Sequence, residues 1–318
     1  MRTDSHTYLI TAAEDGLSVK TYLRAVLRLS GAQITALKQD ARGILADGVH
    51  VTVRHVLRAG QTLTLALYDK ESSERIVPRK MPLYILYEDD AVLVLNKPPY
   101  VPTHPSHGHF EDTLANGLAY LFAQRGVPFV FRSCSRLDRD TSGVVTVAKT
   151  RAAAYHFQCA HTAGEVHKEY LAVLCGHLPG AGGEISAPIR RVEDSVITRT
   201  VAPDGAPALT RWRMCARGTA PDGTPLSLVA AQPVTGRTHQ LRVHFAHLGY
   251  PILGDFLYGR ELSGAEALIT RQALHCRMTA FAHPVSGRYM TLSAAVPEDF
   301  LPLLRCFDKQ EGAFVQWH

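Results

Sequence analysis

Along the first seventy residues the apolar positions change their period. Leu17, Val19, Tyr22, Leu23, Val26, Leu27 and Leu29 recur at helical spacing, and Ile34, Leu37 and Ala41 mark a second short helix. Residues 49–53 and 62–67 then alternate apolar and polar, which predicts two strands joined through the turn chemistry of residues 58–61. Residues 69–75 are polar and charged with no apolar period, so this run reads as a linker. The expected division is a small unit at 14–69, a linker at 70–82, a large domain at 83–300 and a tail at 301–318. In the large domain, 83–87 and 91–95 read as a hairpin, 113–122 and 151–161 as helices, and 168–175 as a strand. From 184 to 232 the segments are short and β-like, between Gly/Pro-rich turns. The class is α+β: a mixed, largely antiparallel sheet flanked by helices, plus the small N-terminal unit.

The most chemical stretch is 134–149, Cys-Ser-Arg-Leu-Asp-Arg-Asp-Thr-Ser-Gly-Val-Val-Thr-Val-Ala-Lys. A loop dense in charge runs into the β-branched run 144–147, which reads as a buried strand. Gly143 sits at the joint, where a residue without a side chain lets the backbone turn or approach something closely. Arg136, Asp138, Arg139 and Asp140 are thereby presented beside a rigid strand.

Composition sets the bounds. At 318 residues the chain holds two domains, or one large domain with an appendage. A net charge of +5 permits a polyanionic partner without demanding one. Six cysteines are scattered with no Cys-x-x-Cys pair, which fits free thiols in a reducing compartment. The N-terminus has no apolar core of signal-peptide length, and no stretch nears the ~18 apolar residues of a membrane span. A soluble, cytoplasmic monomer with no membrane partner is expected.

Two further segments join the central loop: Val-His-Lys-Glu-Tyr-Leu-Ala-Val-Leu-Cys-Gly at 166–176, and the run 233–255, which holds Gly-Arg-Thr-His-Gln-Leu-Arg-Val-His. With Asn96-Lys97-Pro98 and Thr103-His104-Pro105 upstream, the ordered set resembles the RluA-type pseudouridine synthase family over about residues 83–300. The resemblance implies a pseudouridine synthase fold. It also implies isomerisation of uridine in RNA, with the base flipped out of its stack. The C1′–N1 bond breaks, the base turns and C5 joins C1′, with no redox change, so neither cofactor nor metal is required.

On the matched positions, the resemblance makes Asp138 the catalytic carboxylate, a nucleophile or base at the sugar. Asp140, two residues on, is the competitor. Arg242 becomes the arginine that pairs with Asp138 and fixes it. Tyr170 becomes the aromatic that stacks on the flipped base and relays a proton. Arg136 would fill the space the uridine vacates, Leu241 would wall the uracil pocket, and Thr141 and Gln240 complete the expected substrate contacts. Two positions depart from the pattern: Tyr100 stands where glycine is usual, and Ser135 where histidine is common.

His239, His244 and His247 lie close together, and the last two are at i, i+3. No His-Glu-x-x-His pattern accompanies them, so a zinc site is not expected. The N-terminal unit resembles the S-four-type RNA-binding module. With eight basic and six acidic residues in 1–69, a balance of +2, it reads as a helper and not a tight binder alone. Large-subunit ribosomal RNA is the preferred substrate, with transfer RNA as the alternative. The competing readings are an RNA-binding protein that has lost its activity, and an RsuA-type relative acting on one small-subunit site. Intact Asp138, Tyr170 and Arg242 argue against the first, and the Arg-Thr-His-Gln-Leu-Arg run against the second.

Overall fold

The computed structural model describes residues 6–27, 29, 31–66, 72–73, 76–106, 108–259 and 268–307. Its first strand, β1 (His6–Leu9), precedes a short helix, α1 (Val19–Thr21), which runs into a π-turn at Tyr22–Val26. Ser18 caps that helix by accepting the Thr21 N–H at 3.1 Å. Helix α2 (Gly31–Gln39) follows, then β2 (Ile44–Ala46), β3 (Val49–His50) and β4 (Thr62–Leu65). The strands order as β1-β4-β2-β3, and Val19, Leu23, Leu57, Leu63 and Leu65 form a small separate core.

This differs from the hairpin expected between 49–53 and 62–67. The second of those strands pairs with β1 and β2, and the first is only two residues long and pairs with β2. The tight hairpin is β2–β3, closed by Asp47-Gly48 with φ of 48° and 80°. An Asp-Gly pair with both φ positive matches the twist of its flanking strands. The unit also includes residues 6–9, ahead of the expected start at 14, because β1 pairs with β4 in its sheet.

The larger unit contains β5 (Tyr84–Glu88), β6 (Val92–Lys97), helix α3 (Leu114–Gln124), β7 (Ser142–Ala148) and helix α4 (Arg151–Thr162). Next come β8 (His167–Cys175), β9 (Gly182–Ser186), β10 (Ile189–Arg191), β11 (Arg199–Val201), β12 (Leu209–Thr219) and β13 (Pro225–Pro233). Helix α5 (Gln240–His247), β14 (Leu274–Ala282), β15 (Tyr289–Ser293) and helix α6 (Leu301–Leu304) close the chain. One sheet runs β5-β6-β7-β14-β8-β13-β12-β9, with β15 beside β14, and β10–β11 form a separate hairpin. Every pairing is antiparallel except the short β7–β14 contact.

That contact sets the centre of the molecule. Every residue of β7 is buried, as befits a β-branched strand covered on both faces. Gly143 adopts φ +116°, and a Cβ there would lie 2.1 Å from the Cys276 carbonyl oxygen. Glycine is therefore required by the close approach of β14.

Two boundaries move. Residues 301–307, expected in the tail, belong to the core: Leu303 and Phe307 are buried, and the Thr219 N–H donates to the Cys306 carbonyl at 3.2 Å. The second half of the expected linker is strapped to the large unit. The Ser73 N–H donates to Phe129, the Arg79 N–H to Asn116, and the Asn116 amide back to Val77. Residues 67–71, 74–75 and 308–318 lie outside the described residues.

Behind β7, His275 is fully buried, with Nδ1 2.9 Å from the Ser142 hydroxyl and Nε2 3.2 Å from the Ala294 carbonyl. Burial, above all, lowers its pKa to about 4. The unfolded chain takes up this proton near pH 6.5, and the folded chain only near 4. The contribution to stability is therefore present above 6.5 and lost as pH falls through 4, a change on the order of 3 kcal/mol at most. Urea unfolding at pH 7 and pH 4.5 checks this: His275→Gln should lose less stability across the interval than wild type. Equal losses would contradict the assignment.

Candidate active site

The central loop is held by its backbone, which leaves its side chains for chemistry. The Cys134 N–H donates to Thr146, and the Thr146 N–H donates to the Ser135 hydroxyl at 3.0 Å. Thr103 Oγ1 donates to the Leu137 carbonyl at 3.1 Å, and Arg271 Nη1 to that of Asp140 at 3.0 Å. Lys97, from the Asn-Lys-Pro segment, is fully buried. Its ammonium donates to the carbonyls of Pro98 (2.9 Å), Val101 (2.7 Å) and Arg139 (2.8 Å). Burial pushes this amine down to about 7, but three carbonyls at this spacing use all three protons of the charged form.

The two carboxylates separate cleanly. Asp140 is engaged by Arg139 through two contacts, 2.7 and 3.0 Å, and its side chain lies away from the cleft. Asp138 lines the cleft, its side chain 28% exposed, and its Oδ2 accepts from Arg242 Nη1 at 3.2 Å.

Arg242 comes from α5, where Gln240 through Phe245 are all buried, so this short helix is wrapped on every side. A guanidinium in that setting needs counter-charge. Asp255, with no exposed side-chain surface, supplies it by accepting from Nε at 2.7 Å and Nη2 at 2.8 Å. Asp255 Oδ1 also accepts the N–H groups of Leu257 and Tyr258. The Tyr258 ring lies 5.1 Å below the guanidinium. Burial opposes the charge on Arg242, but Asp255, then Asp138, outweigh it and raise its pKa.

Tyr170 enters from β8, nearly buried, with its hydroxyl bonded to the Cys276 thiol. Burial, then Cys276, then the charge of Asp138 push its pKa well above the usual phenol value, so it is a neutral ring at the cleft wall. Leu241 is buried along the same wall. Arg136 is exposed at the rim, beside His104, whose protonation burial and then Arg136 disfavour. The cleft has a volume of about 890 Å³ and brings Asp138, Tyr170, Leu241 and Arg242 to one place.

The other two expected substrate contacts, Gln240 and Thr141, also line the cleft and brace its walls. Gln240 uses its whole amide internally: Oε1 accepts from Thr235 Oγ1 and the Arg237 N–H, and Nε2 donates to the Leu209 carbonyl and Thr210 Oγ1. With two donors and two acceptor sites engaged, it braces the 233–239 loop at the edge of the cleft. Thr141 is 1% exposed and accepts the Gln272 amide at 3.1 Å, which makes it a brace of the catalytic loop. The histidines are similarly explained. His244 spends Nδ1 on Thr210 Oγ1 and Nε2 on the Ala187 carbonyl.

Sequence reasoning missed Asp255 and Tyr258. Their signal was an aspartate after Gly254, set to take the next N–H groups in an Asx-type turn, with a buried arginine needing an anion. Tyr100 adopts φ 65°, the left-handed conformation that glycine takes freely, with its hydroxyl 2.6 Å from Thr270 Oγ1.

Comparison with known proteins agrees with this geometry. Residues 91–247 match the family model described as RNA pseudouridylate synthase. The Bacillus subtilis protein named uncharacterized RNA pseudouridine synthase YjbO is 39% identical over 290 residues, spanning 91% of this chain and 99% of its own. The Xanthomonas campestris ribosomal large subunit pseudouridine synthase D is 40% identical over 272 residues, 82% and 80% of the two chains. Among solved structures, human RNA pseudouridylate synthase domain containing 1 superposes with a TM-score of 0.57 at 34% identity, covering 71% of this chain and 88% of that one. A cleft built around one carboxylate, on this sheet and with these relatives, places the chain in the RluA-type family of RNA pseudouridine synthases.

Proposed function

We propose that this pseudouridine synthase acts on specific uridines of structured RNA, large-subunit ribosomal RNA first, with Asp138 as its catalytic carboxylate. The observation that carries the reading is the buried Asp255–Arg242–Asp138 row, ending in a cleft walled by Tyr170 and Leu241. Arg242 holds Oδ2, which leaves Oδ1 of Asp138 as the oxygen that meets the sugar. As nucleophile at C1′, or as base at the sugar, it assists departure of N1 with the bonding electrons. The uracil anion turns in the cleft and C5 bonds to C1′, displacing the Asp138 oxygen if it has bonded there, or with the abstracted sugar proton returned by Asp138 if it has acted as base. The C5 proton leaves and N1 gains one, so the product is an isomer. Tyr170 stacks against the base, and Leu241 limits the pocket to its thickness. The target uridine must be flipped out to reach this depth, and the exposed Arg136 fills the gap left in the helix.

The choice of ribosomal RNA rests on the relatives named as large-subunit enzymes. In the small N-terminal unit, Lys20 and Arg24 are exposed and four residues apart. They serve an S-four-like module that adds phosphate contacts. A cytoplasmic monomer fits this reading, and no described helix is long and apolar enough to cross a membrane.

Release of tritium from RNA labelled at uracil C5 tests the assignment. Wild type should release it from large-subunit ribosomal RNA, and Asp138→Ala should be slower by ~10⁴-fold. Release by both proteins, or by neither, would refute the catalytic role; release from transfer RNA alone would refute the substrate. For the module, Lys20→Ala/Arg24→Ala should weaken RNA binding and flatten the salt dependence by about 0.7–0.9 in slope per lost phosphate contact. An unchanged slope would make the unit a packing element.

A further inference from the structure

His239 has no part in the scheme above, yet it is built into the site with unusual care. It is the N-terminal cap of α5 and adopts φ 58°. Among the described residues only Asp47, Tyr100 and His239 are non-glycines with positive φ. Such a conformation is strained for a residue with a side chain, and it persists where surroundings fix it. The ring is only 11% exposed, and its Nε2 lies 3.8 Å from Asp138 Oδ2, the oxygen that Arg242 holds.

The other ring nitrogen decides the protonation pattern. Nδ1 lies 2.8 Å from the Tyr258 hydroxyl. That hydroxyl already accepts the Arg199 N–H at 2.9 Å. The hydroxyl can give its own proton to Nδ1, the arrangement that leaves no ring lone pair facing Asp138. A neutral ring that accepts on Nδ1 carries its hydrogen on Nε2, facing the carboxylate. The reverse tautomer would aim a lone pair at Asp138. The charged groups around the ring are Asp138, Arg242, Asp255 and Arg199. Burial, above all, lowers its pKa; Asp138 and Asp255 pull upward, and Arg242 and Arg199 downward. The ring is thus held neutral, and its direction matters more than its charge. At 3.8 Å the approach is longer than a hydrogen bond, so its effect on the carboxylate is electrostatic.

We propose that His239 is a positioning residue for Asp138, held by the Tyr258 hydroxyl in the tautomer whose Nε2–H faces the carboxylate. The inference rests on the reading of Asp138 as the catalytic group. Arg242 bonds Oδ2 and the Nε2–H of His239 faces the same oxygen from 3.8 Å, so Oδ1 is the one left for the sugar. The chain Arg199 N–H to Tyr258, Tyr258 O–H to His239 and His239 Nε2–H to Asp138 runs from the β10–β11 hairpin to the reacting oxygen.

Kinetics in two backgrounds separate this role from simple packing. Turnover is measured on ribosomal RNA by tritium release, with Asp138→Ala as the inactive reference. His239→Ala should lower kcat by about 10- to 100-fold with KM nearly unchanged. His239→Gln should recover most of the loss, because a side-chain amide always offers a donor at that reach. Tyr258→Phe should lower kcat about tenfold in wild type and have no further effect in His239→Gln, where no tautomer needs setting. An equal loss in both backgrounds, or His239→Ala at the wild-type rate, would overturn the proposal. A measurement without substrate keeps the two readings apart: ¹⁵N spectra of histidine-labelled protein should show the Nε2–H tautomer at His239, shifting toward a mixture in Tyr258→Phe. An Nδ1–H ring in wild type would overturn the positioning role whatever the turnover. An Nε2–H ring in a protein that releases no tritium would refute only the reading of Asp138.

Discussion

Removing an arginine from water costs several kcal/mol unless its charge and its hydrogens are satisfied together. Arg242 meets that demand with two carboxylates of different kinds. Asp255 is wholly buried, takes the Nε and Nη2 hydrogens along one guanidinium edge and is itself fixed by two backbone N–H groups. Asp138 takes the remaining edge and still faces the cleft. The guanidinium is thus neutralised from behind and presents a fixed donor in front. Everything else in the site follows from the need to bring these three groups, from residues 138, 242 and 255, to one point.

The fold does this by clamping backbone. Lys97 and Thr103 grip the central loop from one side, and Arg271 and Gln272 from the other, while Ser135 ties it to β7. Gly143 lets β14 approach β7 closely enough to carry Arg271 and Gln272 there. On the opposite wall, Gln240 stitches α5 to β12 with two hydrogen bonds and to the 233–239 loop with two more. These contacts use polar groups that would otherwise be buried unpaired, so the same bonds satisfy the core and set the site.

Much of this was legible in the chain. Period-two and helical patterns located β5, β6, β8 and the helices, and the run 144–147 announced a buried strand. The charged loop beside it drew attention to Asp138 and Asp140, and of the two Asp138 lines the cleft. What was hidden depended on long-range partners. The bracing bonds of Thr141 and Gln240 were among these, because nothing local shows that Gln272 meets the one and Leu209 the other. Asp255 was invisible because its role is defined only by a buried arginine thirteen residues earlier. In the N-terminal unit, three-residue strands such as Ile44–Ala46 are too short to show a period, and the turn at Asp47-Gly48 was the clue left unused.

The claim at the centre is that Asp255 acts on the chemistry through Arg242 without touching RNA. Asp255→Asn keeps the shape and removes the buried counter-charge. The direct measurement is its single-turnover rate on bound RNA, in protein shown by circular dichroism to be folded. The account predicts a rate about 100-fold below wild type with RNA affinity within about twofold. A folded variant that turns over at the wild-type rate would contradict it.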